Sequence, residues 1–309
     1  MAEIRTGTVL QARSGRHKVQ DEGGIALCHV RGKLKKERLA TDLIATGDQV
    51  SWRPTRPGRG VIEEVLPRKT QLSRHRPGHV EAEQVIVANP DQAIYIFSVR
   101  DPAPRLRMLD RLLVLAENND LPAVICANKI DLLCDADLRA GEGMEQARAL
   151  FGMYEEIGYP VIYTSAHTGR GVTALRNRLR GQLSVLCGPS GVGKSSLLNA
   201  VQPDLGLAVR EISDATGKGR HTTVSVQLWP LATGGYVADT PGLREAGLWD
   251  IEPEELAWHY VEMRPLLSDC RFSSCTHTHE PECAVKAAVQ VGNIHPERYE
   301  SYCRLLTGE

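Results

Sequence analysis

The sequence predicts a three-part protein: an all-β barrel, a parallel α/β domain, and a short helical unit built round a metal-ligand cluster. Three observations predict it. Short strands broken by Gly, Pro and charged stretches fill residues 1–70 with no helix-period segment between them. Apolar strands then alternate with helix-period segments as far as about residue 250. Finally, Cys270, Cys275, His277 and Cys283 fall within 14 residues near the end. At 309 residues and 42% apolar content, the chain is long enough to bury more than one core.

In the first unit, "GTVLQA", "HKVQ", "IALCHV", "GDQVSWRP" and "GVIEEVL" read as five short strands. That number in so few residues favours a small closed barrel, an OB-fold first and an SH3-like barrel second. Net charge is −1 overall, yet residues 1–80 carry +8 and the remainder −9. The basic segment "VRGKLKKERL" (30–39) lies between strands, where a loop could meet phosphates, so the front unit is expected to face a polyanion. Residues 71–91 are expected to form a linker, because "PRKTQLSRHRPGHVEAE" (67–83) sustains no apolar period.

The second unit, 92–250, opens with the buried-strand candidates "QAIYIFSV" (92–99), "PAVICAN" (122–128) and "PVIYTSA" (160–166). They alternate with helical patterns near 104–118, 143–157 and 171–181. "LSVLCG" (183–188), a helix from about 194, "TVSVQLWP" and "GYVADT" continue the same sheet. The third unit, 251–309, is expected to be helical around the Cys/His cluster.

"GPSGVGKS" fits Gly-x-x-x-x-Gly-Lys-Ser after an apolar strand and before a helix, the context a phosphate loop requires. Gly188, Gly191 and Gly193 let backbone N–H groups turn toward phosphate oxygens; Lys194 is placed to reach the β- and γ-phosphates, Ser195 to ligate Mg²⁺, and Ser196 to extend the contact into the helix. "VADTPG" (237–242) follows at the end of a strand, where Asp239 can hold the magnesium through water and the Gly242 N–H can meet the γ-phosphate. Between them, "GKGRHTTVSV" (217–226) has the character of a switch segment. Spacing does not separate Thr222 from Thr223 as the residue closing over the ion; Thr223 is taken as the magnesium ligand beside Ser195.

"CANKIDLL" (126–133) contains Asn128-Lys129-Ile130-Asp131. Asp131 can accept from both N1–H and the exocyclic amine of guanine, Asn128 secures base and loop, and the Lys129 stem can pack along the ring. "YTSAHTG" (163–169) adds Ser165 and Ala166 at the end of the next strand, where a small residue lets backbone N–H reach the guanine oxygen. A guanine reader standing before its phosphate loop implies a circularly permuted domain, in which the helix near 171–181 joins the old ends. Leu243 follows "DTPG" where a glutamine would orient the attacking water, so another group must do so; His221 is the candidate catalytic residue.

Three thiolates and an imidazole suit closed, tetrahedral zinc of structural type. His277 and His279 compete for the fourth position. Cys28, Cys126, Cys134, Cys187 and Cys303 are expected as small apolar residues, outside any disulfide framework. No apolar run approaches the roughly 18 residues of a membrane helix, and the first residues carry charge, so a cytoplasmic protein is expected; nothing in these features sets the oligomeric state.

"GDQVSW", "VANPDQA", "GPSGVGKSSLLN", "GRHTT", "DTPG", the cysteine cluster and "ERYESYCRLL" together make the chain resemble the circularly permuted ribosome small-subunit-dependent GTPase A family. The resemblance spans nearly the whole chain. It implies an N-terminal OB-fold, a permuted P-loop GTPase domain and a C-terminal zinc-binding domain. It also implies GTP with Mg²⁺ as substrate complex, one Zn²⁺, late maturation of the 30S subunit as the task, and 16S rRNA as the surface addressed. The family's switch histidine falls on His221, and its fourth zinc ligand on His277. Two other classes compete: a nucleotide kinase, whose loop "GPSGVGKS" also resembles, and a non-catalytic RNA-binding module. The kinase has no use for "NKID" and "TSA"; retention of Lys194, Ser195 and Asp239 argues against the module.

Overall fold

A computed structural model describes residues 3–13, 15–30, 44–76, 79–133, 142–207, 226–239 and 251–308. Five strands form the front barrel: β1 (Arg5–Arg13), β2 (Arg16–Asp21), β3 (Gly24–Val30), β4 (Gln49–Arg56) and β5 (Arg59–Val65). β1 pairs with β2 and β2 with β3, antiparallel; β3 pairs with β5 in parallel; β4 pairs antiparallel with both β5 and β1, which closes the ring. The parallel β3–β5 pair in an otherwise antiparallel ring gives the Greek-key connectivity of an OB-fold, not that of an SH3-like barrel. Alternate residues point inward, so Val9, Val19, Cys28, Val50, Trp52 and Ile62 fill the lumen. The basic stretch 31–40 lies outside the described residues.

The expected linker contains a hairpin instead: β6 (Gln71–Arg76) pairs antiparallel with β7 (His79–Ala88). Its charged tip conceals the pattern, but Leu72 and Val87 are buried in the α/β core, and that burial fixes the strands. The segment is therefore part of a packed structure.

The α/β domain contains β8 (Gln92–Ser98), α1 (Leu106–Asn118), β9 (Ala123–Asn128), α2 (Glu142–Glu156), β10 (Val161–Tyr163), α3 (Val172–Leu179), β11 (Leu183–Cys187), α4 (Lys194–Val201), β12 (Gln227–Pro230) and β13 (Tyr236–Asp239). Spatial order is β10-β9-β8-β11-β13-β12, parallel except for β12 against β13. Every residue of β8 is buried, as a strand covered on both faces requires. Tyr95 and Phe97 enter one core with Leu109, Leu113 and Phe151, while Ile94 and Ile96 enter the other with Leu175, Leu179 and Leu197. Chain order runs outward from β8 to one edge, then returns through α3 to β11 at the centre. The switch point between β8 and β11 opens the crevice at the strands' carboxyl ends.

Residues 251–308 begin with 3-10 turns at Leu256–His259 and Arg264–Asp269 and end in two α-helices, α5 (Ala284–Gln290) and α6 (Pro296–Thr307). Arg298 on α6 bolts this unit to α1: its Nη1 donates to Asp110 Oδ1 at 2.6 Å, and its Nε and Nη2 to Glu262 at 2.7 and 3.1 Å. Tyr154 OH donates to the same Asp110 oxygen at 2.8 Å, and the guanidinium lies 4.4 Å from the Tyr260 ring centroid. Burial alone would push Arg298 toward neutrality; the two carboxylates outweigh it and hold the pKa well above its ordinary value. Among the described residues no helix is long and apolar enough to cross a membrane.

Candidate functional site: a joined base and phosphate cradle

The phosphate loop runs from the end of β11 to the first residue of α4. Gly188 passes so close to β8 that a Cβ there would overlap the Ile96 carbonyl oxygen. Gly193 caps α4 with φ 92°, a left-handed conformation that L side chains resist, and a Cβ on it would lie 2.7 Å from Asn128 Nδ2. Gly191 sits beside Pro102 in the loop that follows β8. Lys194 folds back over the loop, its Nζ donating to the carbonyls of Gly188 at 3.0 Å and Pro189 at 2.8 Å. Ser195 is buried behind it, and Ser196 is half-buried.

Asn128 at the end of β9 joins this loop to the base-reading loops. Its Nδ2 donates to the Val192 carbonyl at 2.8 Å, while its Oδ1 accepts from Thr164 Oγ1 at 3.0 Å. Lys129 takes φ 64°, and its Nζ donates to the Asp101 carbonyl at 2.5 Å. That contact stretches the Lys129 stem past the Gly193 turn, where a base could lie along it. Asp131 lies half-exposed in a 3-10 turn, with no hydrogen-bond partner among the described residues. Ser165 is fully buried; its N–H already donates to Arg170 O at 3.0 Å, and its Oγ accepts from Thr168 N at 3.0 Å. Ala166 N–H, unlike that of Ser165, has no acceptor among the described residues. Spacing alone does not distinguish the two.

Thr164, Asp101 and Pro102 belong to the cradle and escape the sequence reading. A hydroxyl beside "SA" is a faint signal for Thr164; the other two are set by the loop's path. Asp239 ends β13 opposite Leu186 of β11, beside the strand that feeds the phosphate loop. His221, Thr222, Thr223 and Gly242 lie outside the described residues, as does Leu243.

The second cluster is Cys270, Cys275, His277 and Cys283, whose ligand atoms all lie within 4.8 Å of one another. Cys270 and Cys283 Sγ are 3.9 Å apart, and each is 3.5 Å from His277 Nδ1. A tetrahedron with metal–sulfur bonds of about 2.3 Å and metal–nitrogen bonds of about 2.1 Å has edges of about 3.8 and about 3.6 Å, so the donor set fits zinc. His279 is excluded from it: its side chain is 82% exposed and turned to Glu280. Tyr299 and Tyr302 of α6 donate to the carbonyls of His277 and Thr276 at 2.7 and 2.8 Å, tying the ligand knuckle to the helix that carries Arg298.

With this geometry described, comparison with known proteins adds the following. Residues 65–249 match the family described as RsgA GTPase, and residues 6–62 its N-terminal domain. A relative from Gemmatimonas aurantiaca, named small ribosomal subunit biogenesis GTPase RsgA, is 46% identical over 308 residues, covering 99% of this chain and 97% of its own. The solved structure of YjeQ from Thermotoga maritima superposes with TM-score 0.79 at 39% identity, covering 99% and 98% of the two chains. YloQ, described as a circularly permuted GTPase, superposes with TM-score 0.75 at 32% identity, covering 99% and 95%.

Proposed function

This chain belongs to the RsgA GTPase family, and from that premise we propose that it binds the 30S ribosomal subunit and assists its late maturation, holding on with GTP and releasing after hydrolysis. GTP hydrolysis to GDP and phosphate is the family's reaction. The observation that carries the reading is the Asn128–Val192 hydrogen bond, which fuses a base-reading loop and a phosphate loop that the chain encodes in reversed order. A nucleotide kinase would have no use for that connection.

In this reading Asp131 accepts from guanine N1–H and the exocyclic amine, Ala166 N–H donates to the guanine oxygen, and the Lys129 stem lines the ring. Gly188, Gly191 and Gly193 present N–H groups, and Lys194 its ammonium, to the β- and γ-phosphates, where charge builds during transfer. Ser195 and Thr223, or Thr222 in its place, would hold Mg²⁺, with Asp239 acting through water; the ion would neutralise β- and γ-phosphate charge. Gly242 N–H would meet the γ-phosphate. His221 would position the attacking water, since Leu243 offers no polar group. A switch that needs ordering hydrolyses slowly by itself, so docking on the subunit is the activating event. Cys270, Cys275, His277 and Cys283 would hold one structural Zn²⁺. The barrel, residues 1–70, and the zinc unit, 251–309, would flank the GTPase domain, 92–250, and address 16S rRNA as a monomer in the cytoplasm.

Phosphate release with and without purified 30S subunits tests this, with His221→Ala as the variant and GMP plus ATP as the kinase control. Strong stimulation, lost in the variant while nucleotide binding persists, is expected. Equal slow rates with and without subunits would refute activation.

A further inference from the structure

Among the described residues, the barrel sheet joins the GTPase sheet through β1 and β12. β1 pairs antiparallel with β12 through Gln11 and Gln227; Gln227 stands opposite Asp239, and Asp239 opposite Leu186 of β11. These four residues form one transverse row. With strands about 4.8 Å apart, a barrel backbone position lies roughly 10 Å from the Asp239 backbone. The row is a direct backbone route from the barrel to the end of β13, and its barrel step is a single residue pair.

Beside this row, buried Thr46 makes the hydroxyl link. Its Oγ1 donates to the Val226 carbonyl at 3.0 Å and accepts from Ala12 N–H at 3.2 Å. The turn holding Thr46 is pinned many times over. Within the barrel Gly47 N–H donates to Val9 O at 2.8 Å, and from the end of β7 Ala88 N–H donates to Thr46 O at 2.8 Å. Asp48, fully buried, accepts from Ala45 N–H at 2.7 Å and from Arg68 at 2.7 and 2.9 Å. β12 and the Val226 that precedes it are held to the barrel more sparely, by the single β1 pairing, the Thr46 hydroxyl and the Gln11–Gln227 side-chain contact at 3.4 Å. Val226 itself is the last residue of the "GKGRHTTVSV" segment, and Thr46 follows the basic stretch 30–39 by a few residues.

We propose that Thr46 is a positioning residue for GTP hydrolysis: its hydroxyl couples RNA contact at the barrel to the placement of β12, and through it to Asp239 on β13. The inference rests on the ribosome-activated reading above and names how activation crosses from the docking domain to the site. The hydroxyl suits that task because a single hydrogen bond between two well-packed bodies is retained in one placement of β12 and lost in another. Any free-energy difference it makes is felt equally from both ends.

The test compares wild type with Thr46→Val, which keeps the shape and removes the hydroxyl, and Thr46→Ser, which keeps the hydroxyl. Gln227→Ala, weakening the same seam from the other side, carries the test if Thr46→Val does not fold. Two quantities are read: the ratio of GTP hydrolysis with and without 30S subunits, and the ratio of 30S dissociation constants with GDP and with a non-hydrolysable GTP analogue. Thr46→Val is expected to keep subunit-free hydrolysis and GTP affinity within about twofold, while both ratios fall about fivefold or more, the lower end of ordinary coupling. Thr46→Ser is expected to restore both. Unchanged ratios in Thr46→Val, or in Gln227→Ala where that variant stands in, would overturn the proposal. So would a loss that Thr46→Ser fails to restore. Absence of stimulation in the wild type would instead overturn the ribosome-activated reading itself.

Discussion

The GTPase domain is held on two sides by different chemistry. Toward the C-terminal unit the seam is ionic and dry: Arg298, 1% exposed, is locked between Asp110 and Glu262. Toward the barrel it is built from neutral groups: the β1–β12 pairing, the Thr46 hydroxyl, Ala88 N–H on the Thr46 carbonyl, Asn89 Nδ2 on the Gly47 carbonyl, and Leu10 of β1 entering the α/β core. Three charges desolvated together tolerate no intermediate placement, because displacing any one strands the others in a low dielectric. A hydroxyl and an aliphatic side chain forfeit far less on a small shift. One seam therefore fixes geometry, and the other is suited to transmitting it.

The largest effect expected is from metal removal. Tyr299 and Tyr302 of α6 hang on carbonyls of the ligand knuckle, so stripping zinc with a chelator, or Cys275→Ser, should abolish hydrogen-exchange protection across α5 and α6 and loosen the ionic seam with them. Readdition of zinc should restore protection in the chelated protein only. Next is Arg298→Met, expected to cost about 3–5 kcal/mol in denaturant unfolding, since two carboxylates are left buried without a partner. Adding Asp110→Leu and Glu262→Leu to it should recover most of that loss; if it does not, packing and not charge makes the seam rigid. Thr46→Val should cost about 1–2 kcal/mol, through the Val226 carbonyl and Ala12 N–H it leaves unpaired. A cost matching that of Arg298→Met would erase the contrast between the two seams. Smallest is Arg107→Ala, whose partner Glu300 lies 3.5 Å away with both side chains over half exposed. A change below about 0.5 kcal/mol is expected in the same assay.

Much of this site was legible from local pattern. The phosphate loop, Asn128-Lys129-Ile130-Asp131 and the Cys/His cluster each need fixed residue types at short spacing, and their order along the chain alone implied the permutation. The division between Ser165 and Ala166 was not legible, because it depends on which N–H the turn to Arg170 consumes. Nor was the hairpin of β6 and β7, whose buried side chains, Leu72 on one strand and Val85, Val87 and Ala88 on the other, are separated by a charged tip. Arg298 reads as one arginine among many; its partners lie in α1 and before the cluster, far away in sequence, and nothing local marks a buried cation. The barrel's strands were legible from turns and alternation, whereas its closure through the parallel β3–β5 pair was a matter of topology.

The permuted strand order also has a consequence for the order in which the protein is made. Ribosomes deliver β8, β9 and β10 before β11, so β8, buried along its whole length in the finished fold, leaves the exit tunnel with one long side still waiting for its neighbour. Such an edge invites pairing with the wrong strand until residues 183–187 arrive to cover it. The barrel, complete once β5 is out, waits longer still for β12. On the proposed reading a newly made chain therefore holds its guanine-reading half before its phosphate-holding half, and complete GTP binding waits until β13 has been made.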